Sequence, residues 1–295
     1  MKKLLLIINP RAGTRKVNRA LTDIVDVFNR GGYEVTVCVT TDRGHAVGLA
    51  EQYAKQVDLI VCAGGDGTFN ETITGVFNSG ADVEVGYIPC GSTNDFANSL
   101  KLSTNVVQAA KDIVEGTVFH YDVGRFDQRY FSYVASFGAF TRVSYSTPQN
   151  VKNALGHVAY ILEGLQELSQ IKKEHVRFEL DGRVIEDDFL FGAICNSTSV
   201  GGILTLDPKQ VDMCDGEFEL LLVRSSTDPA EVAECIMALK NQRYNCAMIT
   251  FIRAKKLKIF ANPDMPWTLD GEREDGHRMV EVENLPGILH LRKRG

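Results

Sequence analysis

Apolar runs at residues 3–9, 34–40, 58–62 and 85–89 are separated by stretches whose apolar positions recur every three to four residues, at 16–30, 45–55 and 68–77. Each run is short and continuous, the pattern of a strand buried on both faces, and each intervening stretch reads as an amphipathic helix. In the first helix Ala20, Leu21, Ile24, Val25 and Phe28 share one face, and Gly31 and Gly32 end it. A short helix over 94–100 and another over 106–116 complete the series. Regular strand–helix alternation predicts a parallel sheet covered on both faces.

The period changes after about residue 117. Residues 118–126 and 129–136 read as strands joined by a tight turn at Asp127 and Gln128. A helix is expected over 155–170 and another over 230–240. Strand patterns otherwise dominate, at 175–180, 189–196, 217–223, 255–260, 277–282 and 288–291. Runs of strands with hairpin turns predict an antiparallel sandwich or barrel, with a domain boundary within 117–128.

The chain has 295 residues, 44% hydrophobic and 24% charged, which is globular composition, and its length suits two domains. A net charge of −6 argues against a nucleic-acid binder with a broad basic surface. The apolar core of the N-terminus, residues 4–8, is too short for a signal peptide or a membrane span, so membrane contact would be peripheral. Seven cysteines, odd in number and without CxxC spacing, read as small apolar fillers in a reduced cytoplasm. No pair of the six histidines has metal-ligand spacing.

Candidate chemistry lies where the parallel strands end, since ligands bind beyond their carboxyl ends. Three loops leave such ends: Asn9, Pro10, Arg11, Ala12 and Gly13; Gly64, Gly65, Asp66, Gly67 and Thr68; and residues 89–95, with Ser92 and Asp95. Glycines let backbone N–H groups converge on an anion, and a helix opening at Thr68 adds its dipole. The expected ligand is a phosphate. Asp66 would repel it unless the carboxylate binds a metal or water, or orients a hydroxyl. The string Thr68, Phe69, Asn70, Glu71 also fits a capping box, in which Glu71 reaches back to its own helix start. Neither a Walker loop nor a protein-kinase catalytic loop is present, and Asn70 stands where a Rossmann fingerprint needs its third glycine. Arg253, Lys255, Lys256 and Lys258 fall on one expected strand and either protect a sheet edge or attract anionic lipid heads. Met265 and Trp267 either line an acyl groove or fill the core.

These loops, with residues 122–124, 214–217 and 269–272, occur in the order found in the soluble bacterial diacylglycerol kinases, and the chain resembles that lipid kinase family, related to sphingosine and ceramide kinases. The resemblance implies an α/β nucleotide-binding domain with a parallel sheet, like that of NAD kinases and phosphofructokinases, over 1–122. It implies an antiparallel β-sandwich domain for the lipid over 123–295. ATP would lie in the cleft, held by residues 9–13, Thr40, residues 64–68, Asn70, Glu71 and Ser92. Asp66, Asp95 and Asp122 would form a carboxylate–magnesium–water cluster. Asp270 would be the general base and Glu272 its support, with cleft closure completing the site. A structural magnesium would sit at Asp215, helped by carbonyls near Asp212 and Glu217. Many relatives carry a second aspartate where this chain has Cys214, which weakens that metal site, and Ser92 replaces a threonine. The chain stops soon after its last expected strand, so a C-terminal helix packing back on the first domain is expected to be absent. The implied activity is Mg2+- and ATP-dependent phosphorylation of a lipid hydroxyl, diacylglycerol to phosphatidate, by a cytoplasmic protein at the inner membrane surface. Oligomeric state is open, a homodimer included. The alternatives are a soluble-substrate kinase such as an NAD kinase, and a non-catalytic nucleotide- or lipid-binding regulator.

Overall fold

The first apolar runs form strands β1 (Lys2–Ile8), β2 (Tyr33–Val39), β3 (Leu59–Gly64) and β4 (Glu84–Pro89), parallel to one another in the order β2-β1-β3-β4. This computed structural model describes residues 1–13, 16–138, 172–200 and 204–295; the helix expected over 155–170 lies outside them. The described chain divides into two units, Met1–Tyr121 with Gly287–Gly295, and Asp122–Pro286.

In the first unit, alternate residues of the strands serve opposite faces. Leu4, Leu6, Ile8, Leu59, Val61 and Ile88 pack with Val17, Ile24 and Phe28 of helix α1 (Lys16–Arg30) and with Val106, Ala110 and Ile113 of α5 (Val106–Glu115). Helices α2 (His45–Tyr53) and α3 (Asp66–Ser79) pack against each other. Their approach depends on Gly75, where an added Cβ would lie 2.3 Å from the Val47 carbonyl oxygen. The short helix α4 (Asp95–Ser99) follows β4. The order of strands reverses between β1 and β3, so the loops after those two strands flank the switch point at which open α/β sheets bind ligands.

The chain returns to this unit at its end. Strand β17 (Met279–Lys293) places Leu291 beside Val85 in a parallel pair, and Arg292 both donates to the Gly116 carbonyl at 2.6 Å and pairs with Glu84 at 2.6 Å. The expected division gave all of 123–295 to the second domain, whereas Gly287–Gly295 groups with the first. The apolar pattern of 288–291 announces a strand but carries no information on which sheet it joins.

The second unit is antiparallel. Strands β5 (Thr117–Phe126) and β6 (Arg129–Phe131) make a hairpin, with Asp127 left-handed at φ 51°. The run expected as one strand over 129–136 is broken after β6 and resumes as β7 (Val134–Gly138). Strands β8 (Glu174–Leu180) and β9 (Arg183–Cys195) turn at Asp181 and Gly182, both at positive φ as a two-residue hairpin requires. The second half of β9 runs between β7 and β12 (Phe218–Arg224). Two short strands, β10 (Ser199–Val200) and β11 (Leu204–Thr205), pair separately. Helix α6 (Pro229–Lys240) is capped by Asp228, which accepts the Ala230 amide at 2.8 Å.

The strand expected over 255–260 is found, but Arg253 is not on it. Arg253 belongs to β13 (Ile249–Ala254), which pairs with β12; Lys256 and Lys258 belong to β14 (Lys256–Ala261), which lies between β8 and β17. The edge-protection reading therefore fails for these lysines, since β14 has neighbours on both sides, and both face Glu281. Strands β15 (Trp267–Leu269) and β16 (Glu272–Glu274) form a last hairpin beside β7. Met265 and Trp267 are core: they are buried with Phe126, Phe137, Phe178, Phe218 and Leu269.

Two glycines of the α2–α3 pair should respond oppositely to alanine. Gly75→Ala forces a methyl onto a backbone carbonyl and should cost about 1–3 kcal/mol. Gly48→Ala, inside α2 with nothing within 4 Å, should gain about 0.5–1 kcal/mol. Thermal unfolding of both variants checks the signs; equal midpoints would refute this packing.

Candidate active site

Three turns meet at the carboxyl ends of β1, β3 and β4. The β3–β4 register sets Gly64 against Pro89, so the turns after them start in step, and the Cys90 amide donates to Gly64 O at 2.7 Å. Gly65 and Gly91 then touch through their backbones: a Cβ on Gly91 would lie 2.7 Å from Gly65 Cα. Gly13, at φ 50°, faces the Cys90 carbonyl so closely that a Cβ would come within 2.1 Å of its oxygen. Gly13 and Gly91 are thus required by the approach of turn to turn, before any ligand is considered. Asn94, left-handed at φ 52°, closes the third turn, accepting Gly91 N at 2.8 Å and donating to Gly91 O at 3.0 Å.

Side chains tie the turns together. Asn9 donates from Nδ2 to Thr68 Oγ1 at 2.9 Å and accepts the Arg11 amide at 3.0 Å. Thr40 lies at the end of β2, its amide and hydroxyl both donating to Ile8 O, at 2.8 and 3.4 Å. Pro10, Ala12, Asn70 and Ser92 lie on the same turns or their helix, Ser92 exposed.

Asp66 is the first residue of α3, and Gly65, not Thr68, is its N-cap. The carboxylate is nearly buried and accepts the Asp95 amide at 3.0 Å and the Phe96 amide at 3.4 Å, the first N–H groups of α4. One carboxylate therefore lies in the first turn of α3 and accepts from the start of α4, and both helix dipoles favour its charge. Asp95 is buried beside it. The capping-box reading of Thr68 and Glu71 does not hold. Glu71 instead accepts the Gly44 amide at 2.7 Å and the Ala46 amide at 3.3 Å, capping α2.

The remaining sequence-derived residues lie in the second unit. Asp122 is fully buried; its amide donates to Met213 O at 2.9 Å and its Oδ2 accepts Gly216 N at 2.7 Å. Asp270 sits at the β15–β16 turn, left-handed at φ 49°. Its Oδ2 accepts Ser132 N at 2.5 Å and Ser132 Oγ at 2.8 Å; its Oδ1 accepts Tyr133 N at 3.0 Å and Val134 N at 3.1 Å. This explains the break between β6 and β7, whose amides turn from ladder pairing to the carboxylate. Burial pushes Asp270 above the ordinary aspartate range, against the downward pull of those four donors. Glu272 pairs with Arg129 at 3.6 Å.

Asp212 and Asp215 each fold their own loop, Asp212 Oδ1 accepting Cys214 N at 3.0 Å and Asp215 Oδ1 accepting Glu217 N at 2.9 Å. Asp215 Oδ2 faces Arg253 Nη1 at 3.3 Å. Among the described residues no three His, Cys, Asp or Glu side chains are grouped to hold a metal. Asp215, the one carboxylate implied for the structural metal, has its two oxygens facing Glu217 N and Arg253 Nη1. Asp66 and Asp95 fit a different demand, since magnesium carried by a nucleotide needs only one or two carboxylates beside phosphate and water.

Sequence reading missed Asn94, Ser132, Glu219 and Arg253 as parts of these networks. Asn94 lies within the loop over 89–95, whereas Ser132 carries no signal in the sequence. Glu219 is buried and pushed up to about 8, chiefly by burial, against the pull of Arg253.

Residues 3–126 match the family described as Diacylglycerol kinase catalytic domain, and residues 134–293 the YegS C-terminal NAD kinase beta sandwich-like domain. The chain is 31% identical over 293 residues to a diacylglycerol kinase of Bacillus subtilis (strain 168), covering 99% of this chain and 96% of that one. It is 31% identical over 273 residues to a diacylglycerol kinase of Staphylococcus saprophyticus subsp. saprophyticus, covering 92% and 89%. A crystal structure of a diacylglycerol kinase from Bacillus anthracis str. Sterne shares the fold, with TM-score 0.78 at 24% identity over 99% of this chain and 97% of that one. Another structure from that organism gives TM-score 0.81 at 25% identity over the same shares.

Glu71→Ala should leave the Gly44 and Ala46 amides without their acceptor. We expect a loss of about 1 kcal/mol and faster amide exchange confined to the first turn of α2. Unchanged exchange there would remove Glu71 from the capping role.

Proposed function

The chain belongs to the diacylglycerol kinase family of lipid kinases, and from that membership we propose that it transfers the γ-phosphoryl group of ATP, with Mg2+, to the hydroxyl of a membrane lipid, diacylglycerol first, giving phosphatidate. The observation that carries this reading is the joined set of turns around Asp66: backbone amides, helix starts and a buried carboxylate at the switch point of a parallel sheet.

Phosphoryl transfer asks a protein mainly for positioning and charge neutralisation. The first amides of α3 have no intrahelical acceptor and suit the phosphates of ATP. Asn9, Pro10, Arg11, Ala12, Gly13, Thr40, Gly64, Gly65, Gly67, Thr68, Asn70 and Ser92 are assigned to the nucleotide; Glu71 acts by holding α2. Asp66 and Asp95 would hold the magnesium, which supplies neutralising charge between the phosphates.

Asp270 is assigned as general base and Asp122 to the same reaction, with Glu272 in support. To take a proton, the Asp270 carboxylate must give up one of its four donors, and the Ser132 hydroxyl is the one free to rotate away. A lipid substrate requires a peripheral encounter with the membrane, which we place at its cytoplasmic face. Among the described residues no helix is long and apolar enough to cross a membrane.

Purified protein, a panel of lipid hydroxyls in mixed micelles, NAD and labelled ATP test the proposal, with mass spectrometry of products. Diacylglycerol should be phosphorylated; phosphorylation of NAD alone, or of nothing, would refute it. Asp270→Asn should lower kcat by about 100-fold or more with ATP binding retained. The base must be ionised, so kcat/KM should fall as pH drops through the Asp270 pKa. Ser132→Ala removes a donor to the charged form, raises that pKa, and should move the acid limb to higher pH. A limb that stays in place would show that Asp270 is not the titrating base.

A further inference from the structure

The loop over 210–217 is folded and held without a cage of carboxylates. The first oxygens of Asp212 and Asp215 are spent on amides of their own loop. What reaches the second oxygen of Asp215 is a guanidinium. Arg253 projects from β13 and makes three approaches: Nη1 to Asp215 Oδ2 at 3.3 Å, Nη2 donating to Gln210 O at 2.8 Å, and Nε toward Glu219 Oε1 at 3.5 Å.

Glu219 is the buried member of this set. It lies directly opposite Arg253 in the β12–β13 register, has 0% exposure, and neither carboxylate oxygen has a hydrogen-bond partner. A carboxyl so buried either keeps its proton or is offset by a cation, and Arg253 is the cation beside it. Arginine is charged at every working pH, and its planar fork can serve several oxygens at once. The exposed pair with Asp215 alone would contribute little; the buried glutamate makes the arrangement matter.

The loop so held grips Asp122. Gly216 N donates to Asp122 Oδ2 and Met213 O accepts the Asp122 amide. Asn284 Nδ2 adds a bond to Glu217 O at 3.0 Å. A continuous set of contacts thus runs from Arg253 through the loop to a buried carboxylate, all within the second unit.

We propose that Arg253 is the internal cation of this loop, standing where the family resemblance implies a structural metal, and that it is a positioning residue for Asp122. The second half rests on the function proposed above; the first does not.

Hydrogen exchange of the nucleotide-free protein separates the two halves. In wild type the 210–217 amides should exchange at the same rate in EDTA and in millimolar Mg2+. Arg253→Gln should speed their exchange about tenfold or more in either condition, the loss of a charged hydrogen bond. Arg253→Lys, which keeps charge but not the fork, should recover part. Turnover with lipid should fall in step with loop exchange across these variants while KM for ATP holds. Mg2+ slowing loop exchange in wild type, with the slowing lost in Asp215→Asn, would overturn the internal-cation proposal without any appeal to activity. So would wild-type exchange in Arg253→Gln. Faster loop exchange with unchanged turnover would overturn the positioning of Asp122 alone. A wild type that phosphorylates no lipid would remove the functional reading and leave the exchange result to decide the lock.

Discussion

The contact on which the first unit's site depends is backbone against backbone: Gly65 and Gly91 meet because neither has a side chain. The parallel register of β3 and β4 brings the two turns out side by side, and the close approach requires glycine at 91. Closure puts Asp66, next in the chain, within reach of the first amides of α4. Two helix starts and one carboxylate then form a single polar assembly. A side chain at Gly91 would press on Gly65 Cα and Asn94 Oδ1, each at 2.7 Å, and push apart the turns that bring Asp66 to the α4 amides.

Two buried aspartates show how the same side chain is given different surroundings. Asp66 accepts from the start of one helix while lying in the first turn of another, an environment that favours its charge. Asp270 is more deeply buried and takes three amides and a hydroxyl, so that desolvation and hydrogen bonding oppose each other. A group held between those forces is suited to changing its proton, whereas one stabilised as an anion is suited to a cation. The proposed division of labour, base at Asp270 and magnesium at Asp66, follows from that contrast.

Much of this was legible along the chain because period is a local property. The parallel strands, the helices between them and the hairpin at Asp127 and Gln128 all follow from apolar spacing and turn residues. The glycine-rich string after β3 marks a turn that meets the turn after β4. Its details were not legible, because they depend on partners far off in sequence. Glu71 stands three residues after Thr68, as a capping box requires, yet it caps a helix that starts 26 residues earlier, at His45. The break between β6 and β7 is made by Asp270, 138 residues from Ser132. Arg253 and Lys256 look like one basic strand until their ladders place them on different neighbours. The final apolar run reads as part of the second domain and pairs with β4 of the first unit.

The central claim is that the backbone amides of the joined turns hold the phosphates of ATP. Backbone amide NMR shifts, followed while a magnesium complex of a non-hydrolysable ATP analogue is added, test it most directly. The account predicts saturable shifts at Gly13, Gly65, Gly67 and Ser92, weakened in Asp66→Asn. Saturation of the protein with those four amides unmoved would contradict it.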